Sequence, residues 1–301
     1  MTRPGGATTE SGLVVIDKPA GMTSHDVVGR VRRLAGTRRV GHAGTLDPMA
    51  TGVLVLGVNR ATRLLGHLLL SWKGYDATVR LGASTSTDDA EGTITSQASA
   101  SEVAEEAVRA AAARFVGEID QVPSSVSAIK VDGRRAYARV RAGESVQLAA
   151  RRVTIDSLEV IGIRREFDYL DVDISLRCSS GTYVRAVARD LGSDLGIGGH
   201  LTRLRRTALG DFPLAEAQLL PEVHAADELR MLSLDTATRR CFPGHVVDAE
   251  GARDISYGRR LEAELGSPGP VAVFDESGRF LALYQQRGRL AVPVAVFAGS
   301  E

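Results

Sequence analysis

The chain has few cysteines, few aromatic residues and no long apolar run. Its two cysteines, Cys178 and Cys241, form no Cys-x-x-Cys pair and no cluster with metal-ligand spacing, which argues against structural zinc. The alternating pattern before Cys178 predicts a core thiol. No apolar segment approaches the ~20 residues that cross a bilayer. Residues 1–11 lack the apolar core of a signal peptide, so we expect a flexible, unprocessed tail and a cytoplasmic protein.

Neither sign of charge is in excess, because 37 basic residues balance 37 acidic ones. Neutrality alone argues against a nucleic-acid partner, but the charges are unevenly placed. Two segments are rich in basic residues. The first contains Arg30, Arg32, Arg33, Arg38 and Arg39, and the second contains Lys130, Arg134, Arg135, Arg139, Arg141, Arg151 and Arg152. A third segment is acidic: Asp88, Asp89, Glu91, Glu102, Glu105 and Glu106. A basic face that steers RNA is therefore compatible with the sequence, the alternative being solvated helix faces.

The most informative run is GHAGTLDPMATG, which places Asp47 in a short glycine-rich loop directly before Pro48. Proline disfavours the helical region for the preceding residue, so we expect Asp47 to be extended. Gly41, Gly44 and Gly52 permit positive φ and the close approach of another backbone or a ligand. One acid on a rigid, open loop indicates a catalytic carboxylate, and a turn with an Asx hydrogen bond is the alternative.

This run resembles the signature loop of the pseudouridine synthases, specifically the bacterial tRNA pseudouridine-55 synthases (TruB-type). The segment Asp17–Ser24 is similar to the first motif of that family, and Gly181–Arg185 is similar to its later Tyr/Arg motif. The three matches stand in family order and cover most of the chain from Gly12 to about Arg206. Ser180 departs from the pattern, since other members often carry lysine there, and a phosphate contact at this position is in doubt.

Apolar periodicity predicts a mixture of strands and helices, hence an α+β protein. The predicted elements are strands at Gly12–Asp17, Val53–Val58, Tyr75–Leu81, Val153–Ile163 and Leu170–Cys178, and helices from Thr23 or Ser24 to Gly36, over Ala61–Leu70, along Val103, Ala107, Ala111 and Phe115, and from Tyr183 to Gly196. Residues 84–99 are expected to form a polar, acidic loop. The resemblance implies the pseudouridine synthase fold, in which a mixed central sheet carries the active site in a cleft.

The length allows one large domain and one small one. We expect a catalytic domain over 12–238, with a basic RNA-binding thumb loop at about 124–152, and a C-terminal domain over 239–301. In that last region the sequence predicts a hairpin within Val271–Leu283 and a strand at Val292–Phe297. This pattern is similar to the PUA RNA-binding module.

The resemblance implies conversion of uridine to pseudouridine, in which the C1′–N1 bond breaks and C1′ joins C5. The reaction is redox-neutral, so the sequence predicts neither an organic cofactor nor a metal. Because the target base is stacked in folded RNA, it must be flipped into a pocket. That pocket needs a carboxylate, a cation that holds it, an aromatic face under the uracil, and a side chain that fills the vacated stack.

By resemblance, Asp47 is the essential acid, acting as nucleophile or as base at C2′. Arg185 is the cation, since a guanidinium pairs bidentately with a carboxylate and keeps it charged. Tyr75 stacks on the uracil and helps to remove the C5 proton. The other implied substrate contacts are His42, which fills or props the vacated stack, Tyr183 and Leu204, which line the pocket, and Lys18 and Pro19, which shape its floor.

The resemblance implies a monomer without an obligate protein partner or membrane contact, acting on uridine 55 in the T-arm of tRNA. One alternative is a catalytically silent RNA-binding or RNA-folding protein on the same fold, which intact Asp47, Tyr75 and Arg185 argue against. The other is a hydrolase with an aspartate nucleophile, but Asp47 has no local carboxylate partner of the kind that glycoside hydrolysis uses.

Overall fold

The computed structural model describes residues 8–124, 148–220 and 229–298, together with the backbone of 130–131 and 134–135. Most of the predicted thumb loop at 124–152 lies outside the described residues, as do residues 1–7 of the predicted tail. The helices are α1 (Ser24–Ala35), α2 (Leu65–Leu68), α3 (Glu105–Ala113), α4 (Val184–Asp194), α5 (Leu234–Cys241) and α6 (Ala249–Ser256), with 3₁₀ helices at Asn59–Leu64 and Leu214–Glu216.

The strands are β1 (Gly12–Lys18), β2 (Val40–His42), β3 (Thr51–Val58), β4 (Lys73–Leu81), β5 (Ala83–Thr85), β6 (Ile94–Gln97), β7 (Gly117–Gln121), β8 (Lys130–Val131), β9 (Arg134–Arg135), β10 (Arg151–Glu166), β11 (Tyr169–Cys178), β12 (Gly199–Leu209), β13 (Phe212–Pro213), β14 (Gln218–Leu219), β15 (Met231–Ser233), β16 (Gly244–Val247), β17 (Val271–Asp275), β18 (Phe280–Arg287) and β19 (Leu290–Val296). Within the described ranges, eleven of these strands form one sheet in the order β14-β1-β3-β12-β4-β11-β10-β7, with β2, β13 and β15 paired alongside. The pairs β1·β14 and β3·β12 are parallel and the others are antiparallel. The predicted mixed central sheet and α+β class are confirmed.

Strand β4 lies between β12 and β11 at the middle of this sheet. Its alternate residues Tyr75, Ala77, Val79 and Leu81 join one core with apolar residues of β11, α3 and α4. Successive side chains of a strand point to opposite faces, so this core lies on one face of the sheet. Tyr75, near the start of β4, is paired in register with Leu176 of β11 and lies in the same core as Val184 at the start of α4.

Helix α1 begins and ends where the sequence predicts. The Thr23 hydroxyl accepts from the Asp26 backbone N–H, and the Asp26 carboxylate accepts from the Thr23 N–H, which forms a reciprocal capping box. The helix ends at Gly36, whose φ of 63° is a left-handed conformation that glycine adopts without a Cβ clash. Val27, Val28 and Val31 face the core formed with β1 and β3.

Three details of the predicted elements are wrong. The predicted helix over Ala61–Leu70 is a 3₁₀ helix followed by the single turn α2. The predicted apolar face of α3 is rotated, because Val108 and Ala112 are buried whereas Ala107 is exposed. The predicted acidic loop at 84–99 contains the short hairpin β5–β6, and its Asp89 is buried.

The C-terminal region forms a separate sheet in the order β16-β17-β18-β19. The predicted hairpin and last strand are confirmed. This sheet contacts the 3₁₀ helix after β3, where Leu64 joins an aromatic cluster that includes Phe297. Arg63 donates to the Val296 carbonyl at 2.6 Å, and Arg60 donates to that of Phe297. The predicted boundary at 238/239 falls inside α5, whose Ala237 packs in the core of the large sheet.

Candidate active site

A pocket of about 300 Å³ opens where the predicted signature loop, the start of β4 and the start of α4 meet. We name it the Asp47 pocket. Its lining includes five of the predicted site residues: Asp47, Tyr75, Tyr183, Arg185 and Leu204. These residues are up to 157 positions apart in the chain, and the sheet brings them together.

The loop that carries Asp47 is fixed by hydrogen bonds from the segment after β1. The Ser24 hydroxyl accepts from the Leu46 N–H at 2.9 Å and donates to the Leu46 carbonyl at 3.2 Å. Gly52 has a φ of 100°, and a Cβ there would lie 2.2 Å from the Arg206 carbonyl oxygen, so only glycine fits. Gly44 also has a positive φ, whereas Gly41 instead packs tightly against a leucine of α2. The first motif and the glycines therefore hold Asp47 at the pocket.

Arg185 brings its guanidinium to the Asp47 carboxylate in a two-point arrangement. Its Nε lies 3.0 Å from Asp47 Oδ2, and its Nη2 donates to Oδ1 at 3.2 Å. The Arg185 side chain is 5% exposed and the Asp47 side chain is 35% exposed, so the carboxylate retains an open side toward the pocket. The planar fork of arginine fixes both the charge and the orientation of the carboxylate.

Asp89 is a site residue that the sequence reasoning missed. Its Oδ2 lies 3.4 Å from Arg185 Nη1, which also donates to the Thr87 carbonyl at 2.9 Å, and both charged side chains are 5% exposed. The Thr87 hydroxyl and the Glu91 backbone N–H donate to Asp89 Oδ1. Arg185 therefore lies between two carboxylates. The signal available in the sequence was an acid flanked by threonines inside the stretch interpreted as a solvated loop.

Tyr75 lies inside the pocket and is 7% exposed. Burial raises the pKa of its phenol, and the Arg206 guanidinium, which hydrogen-bonds to that side chain, opposes the shift. Arg206 is 1% exposed and also donates to the carbonyls of Val53 (2.6 Å) and Gly44 (3.2 Å). The phenol is therefore neutral and held by a cation that also fixes the signature loop.

The backbone of Tyr183 is fixed by a buried glutamine that the sequence reasoning did not single out. Gln121 accepts from the Tyr183 N–H at 2.8 Å and donates to the Tyr183 carbonyl at 3.1 Å. Leu204 of β12 and Ser180 also belong to the lining of the pocket. Tyr183 and Leu204 thus occupy the positions expected of pocket walls.

Lys18, Pro19 and His42 lie behind the lining rather than in it. The Lys18 ammonium is completely buried and donates to the carbonyls of Pro19 (2.9 Å), Met22 (2.6 Å) and Pro48 (3.2 Å), next to Asp47 in the chain. Burial lowers its pKa to about 8, although the charge of Asp47 opposes that shift. His42 is half-buried, its pKa is lowered by burial, and its ring contacts that of His25 edge-on at 5.6 Å.

The part of the chain that is described contains no group of three or more His, Cys, Asp or Glu side chains that could hold a metal ion. It also contains no helix that is long and apolar enough to cross a membrane. Cys178 is buried as predicted, and burial raises its pKa to about 11, so this thiol is inert at neutral pH.

The fold resembles solved structures of low sequence identity. A structure titled "Structure of H/ACA RNP bound to a substrate RNA containing 2'-deoxyuridine" has a TM-score of 0.71 and 22% identity, covering 96% of this chain and 85% of that one. A second, titled "Crystal Structure of a Cbf5-Nop10-Gar1 Complex", has a TM-score of 0.70 and 23% identity, covering 96% and 84%. These likenesses concern the fold alone.

Three family models match consecutive parts of the chain. The model described as "TruB family pseudouridylate synthase (N terminal domain)" matches residues 32–184. The model described as "tRNA pseudouridylate synthase B C-terminal domain" matches 185–239, and "tRNA Pseudouridine synthase II, C terminal" matches 242–298. Together they cover the pocket and the C-terminal sheet.

Curated relatives match over nearly the whole chain. The chain is 56% identical over 300 residues to the tRNA pseudouridine synthase B of Arthrobacter sp. (strain FB24), covering 96% of this chain and 97% of that protein. It is 55% identical over 295 residues to that of Rhodococcus jostii (strain RHA1), covering 98% and 96%. It is also 54% identical to that of Thermobifida fusca (strain YX), covering 96% and 99%. The chain therefore belongs to the TruB family of pseudouridylate synthases and is an isomerase.

Proposed function

We propose that this enzyme converts uridine 55 in the T-arm of tRNA to pseudouridine. The observation that carries the proposal is the pocket in which Arg185 holds the half-exposed Asp47 carboxylate beside the buried ring of Tyr75. The names of the curated relatives, all tRNA pseudouridine synthases, support tRNA as the substrate. The reaction breaks the N1–C1′ bond, turns the uracil and forms the C5–C1′ bond. C5 loses its proton to a base and N1 takes up a proton, so atoms and electrons balance without a cofactor.

Asp47 supplies the negative charge at the ribose, and Arg185 keeps that charge oriented and ionised. Its bidentate contact with Asp47 and its burial support this role. Tyr75 supplies the flat surface on which the detached uracil turns, and Tyr183 and Leu204 confine the base. A base turning in a closed, preorganised pocket does not escape before C5 reaches C1′.

The uridine reaches this pocket only after it leaves the T-loop stack. His42 enters the gap; its half-buried position and the His25 ring against its edge support this role. Lys18 and Pro19 support the loop, since the Lys18 ammonium bonds the Pro19 carbonyl in the first motif and the Pro48 carbonyl in the loop itself. The segment 124–152, most of which lies outside the described residues, contributes to RNA binding as a thumb loop, and the C-terminal region over 239–301 serves as an RNA-binding module. The enzyme acts in the cytoplasm as a monomer without an obligate protein partner, metal or cofactor.

The test is incubation of the purified protein with unmodified tRNA and with a T-arm stem-loop, followed by chemical mapping of pseudouridine. We expect conversion at position 55 alone, in both RNAs. Dialysis against EDTA leaves conversion of the stem-loop unchanged, and the stem-loop is preferred because full tRNA needs magnesium to fold. Conversion at another position would refute the substrate assignment. Binding without any conversion would favour a silent RNA-folding protein on the same fold.

A further inference from the structure

Lys73 is a buried cation at the Asp47 pocket to which none of the roles above applies. It is the first residue of β4, paired in register with Cys178 of β11 and Leu209 of β12. It is 7% exposed, and it lines the pocket. Over the described ranges it forms no ion pair with a carboxylate, and the ionisable groups that influence its pKa are Arg206 and Cys178.

The Lys73 ammonium holds the turn that precedes β4. It donates to the Leu69 carbonyl at 2.9 Å and to the Ser71 carbonyl at 2.7 Å. This turn, Leu69–Ser71, follows the short helix α2, and its backbone N–H groups donate to the carbonyls of Leu65, His67 and Leu68. The carbonyls that Lys73 holds are therefore those of the turn itself. We name this segment the rim turn.

The rim turn places one leucine in the pocket and the next one outside it. Leu69 lines the Asp47 pocket, where its Cδ2 lies 3.8 Å from the position that a Cβ on Gly44 would take. Leu70 is 75% exposed and is not part of the lining. A change in the backbone of this turn would therefore move Leu69 relative to the pocket.

Burial is unfavourable to the charged form of Lys73, and it lowers the pKa of this residue to about 8. The ammonium nevertheless lies at the lining of the pocket, and both of its described hydrogen bonds go to the rim turn. This geometry points to a role in the shape of the site.

We propose that Lys73 is a positioning residue that holds Leu69 as a wall of the Asp47 pocket, so that the flipped uridine is retained for reaction. The inference rests on the proposed function, because it assigns the pocket to a uridine. RNA binding as a whole depends on contacts to the phosphate backbone, which this wall does not touch. Loss of the wall therefore lowers the fraction of bound uridine that is flipped and leaves overall affinity nearly unchanged.

The test compares Lys73→Met, Leu69→Ala and the matched control Leu70→Ala. Trp72 is the only tryptophan in the chain and directly follows the rim turn, so its fluorescence reports on that segment. Three quantities are measured on folded protein: acrylamide quenching of Trp72 without RNA, affinity for the T-arm stem-loop, and the single-turnover rate at saturating RNA. Far-UV circular dichroism and thermal melting establish folding.

We expect Lys73→Met to lower the single-turnover rate about tenfold or more and to increase quenching, with affinity within about threefold. Leu69→Ala lowers the rate similarly but leaves quenching at the wild-type value. Leu70→Ala changes neither quantity.

Wild-type rate and quenching in Lys73→Met would overturn the inference. A slow Lys73→Met with wild-type quenching, beside a fully active Leu69→Ala, would overturn it as well, because Lys73 would then act on the RNA directly. If Lys73→Met does not fold, equal rates for Leu69→Ala and Leu70→Ala are sufficient to refute it. A wild-type protein that converts no RNA would instead refute the proposed function, and the quenching results separate the two failures because they need no RNA.

Discussion

The two faces of the central sheet differ in how their charged side chains are paired and how far they are buried. On the face that carries Tyr75, Lys73 and Arg206 are buried and bond backbone carbonyls. On the opposite face, which we name the polar face, arginines lie beside aspartates and are about a third to a half exposed. The pairs are Arg80–Asp171, Arg164–Asp173, Arg177–Asp156 and Arg205–Asp17.

This difference separates charges that neutralise one another on an exposed surface from buried charges that hold the backbone around the pocket. Exposed ion pairs contribute about 0–1 kcal/mol each, and a face that is balanced residue by residue has little net field. In the pocket, Arg185 is matched by Asp47 and Asp89, whereas Lys73 and Arg206 add positive charge without a carboxylate of their own in the described structure. Among these residues the pocket therefore carries a surplus of positive charge, whereas the pairs of the polar face are balanced.

The largest expected effect is that of Asp47→Asn, which we expect to abolish turnover, a loss of more than about 10³-fold. One neutral-for-charged exchange leaves the phosphate contacts intact, so affinity for the stem-loop changes by less than about tenfold. The matched control is Asp156→Asn on the polar face, which retains full activity. Pseudouridine formation by a sequence-verified Asp47→Asn protein would refute the assigned role.

The next largest effect is that of Arg185→Met. Its comparison with Arg177→Met on the polar face tests whether a buried ion-paired arginine contributes more than an exposed one. Arg185 is 5% exposed and its removal leaves Asp47 and Asp89 without their shared cation. Breaking a buried pair costs about 3–5 kcal/mol, against about 0–1 kcal/mol for an exposed one. Urea unfolding should show this contrast, and single-turnover rates should fall about 10²-fold for Arg185→Met only. Equal unfolding free energies for the two variants would show that burial does not distinguish the faces.

A smaller effect is expected on the C-terminal sheet domain, where Arg253 and Arg260 are exposed and form no ion pair within the described part. If unpaired arginines bind phosphate, Arg260→Gln weakens tRNA binding severalfold and reduces the slope of log affinity against log salt by about 0.9. Arg164→Gln, which removes a paired arginine, leaves that slope unchanged. The rate at saturating RNA stays constant in both variants. A reduced slope in Arg164→Gln would show that pairing does not decide which arginines meet RNA.

Sequence reasoning predicted most of the fold because its strongest signals are local. Alternation over Tyr75–Leu81 and the capping residues Thr23 and Gly36 determine single elements, and their boundaries are confirmed within two residues. Motif resemblance then identified Asp47 and Arg185, which lie 138 positions apart and meet in the pocket.

The parts that were missed depend on distant contacts. Asp89 lies in a stretch of acids and threonines that is typical of a solvated loop, and only the fold brings it to Arg185. Gln121 and Lys73 have no local pattern at all, since their partners are the backbone of Tyr183 and the rim turn. Because any residue type offers the same backbone groups, the sequence pattern does not indicate which side chains will hydrogen-bond to a distant backbone.

The smallest expected effect is a dependence of stability on pH that has an unusual sign. Burial lowers the pKa of Lys73 to about 8, from 10.5 in the unfolded chain. Between these values the unfolded state binds more protons than the folded state, so this residue makes the free energy of unfolding rise with pH. Its unfavourable contribution is fully present below pH 8 and fades as pH approaches 10.5. Lys18, whose pKa is lowered in the same way, contributes with the same sign.

The comparison of wild-type protein with Lys73→Met isolates one of these two lysines. Groups common to both proteins cancel in the difference, and the neighbours of Lys73 stay constant, because Arg206 remains charged and the Cys178 thiol has its pKa raised to about 11. We expect the unfolding free energy of the wild type, minus that of the variant, to increase as pH rises from about 7 to about 9.5. The measurement is urea unfolding followed by circular dichroism at both pH values. If the difference in unfolding free energy stays constant, or if the variant becomes relatively more stable at the higher pH, burial does not lower the pKa of Lys73. The contrast between the pocket and the polar face would then lose its strongest support.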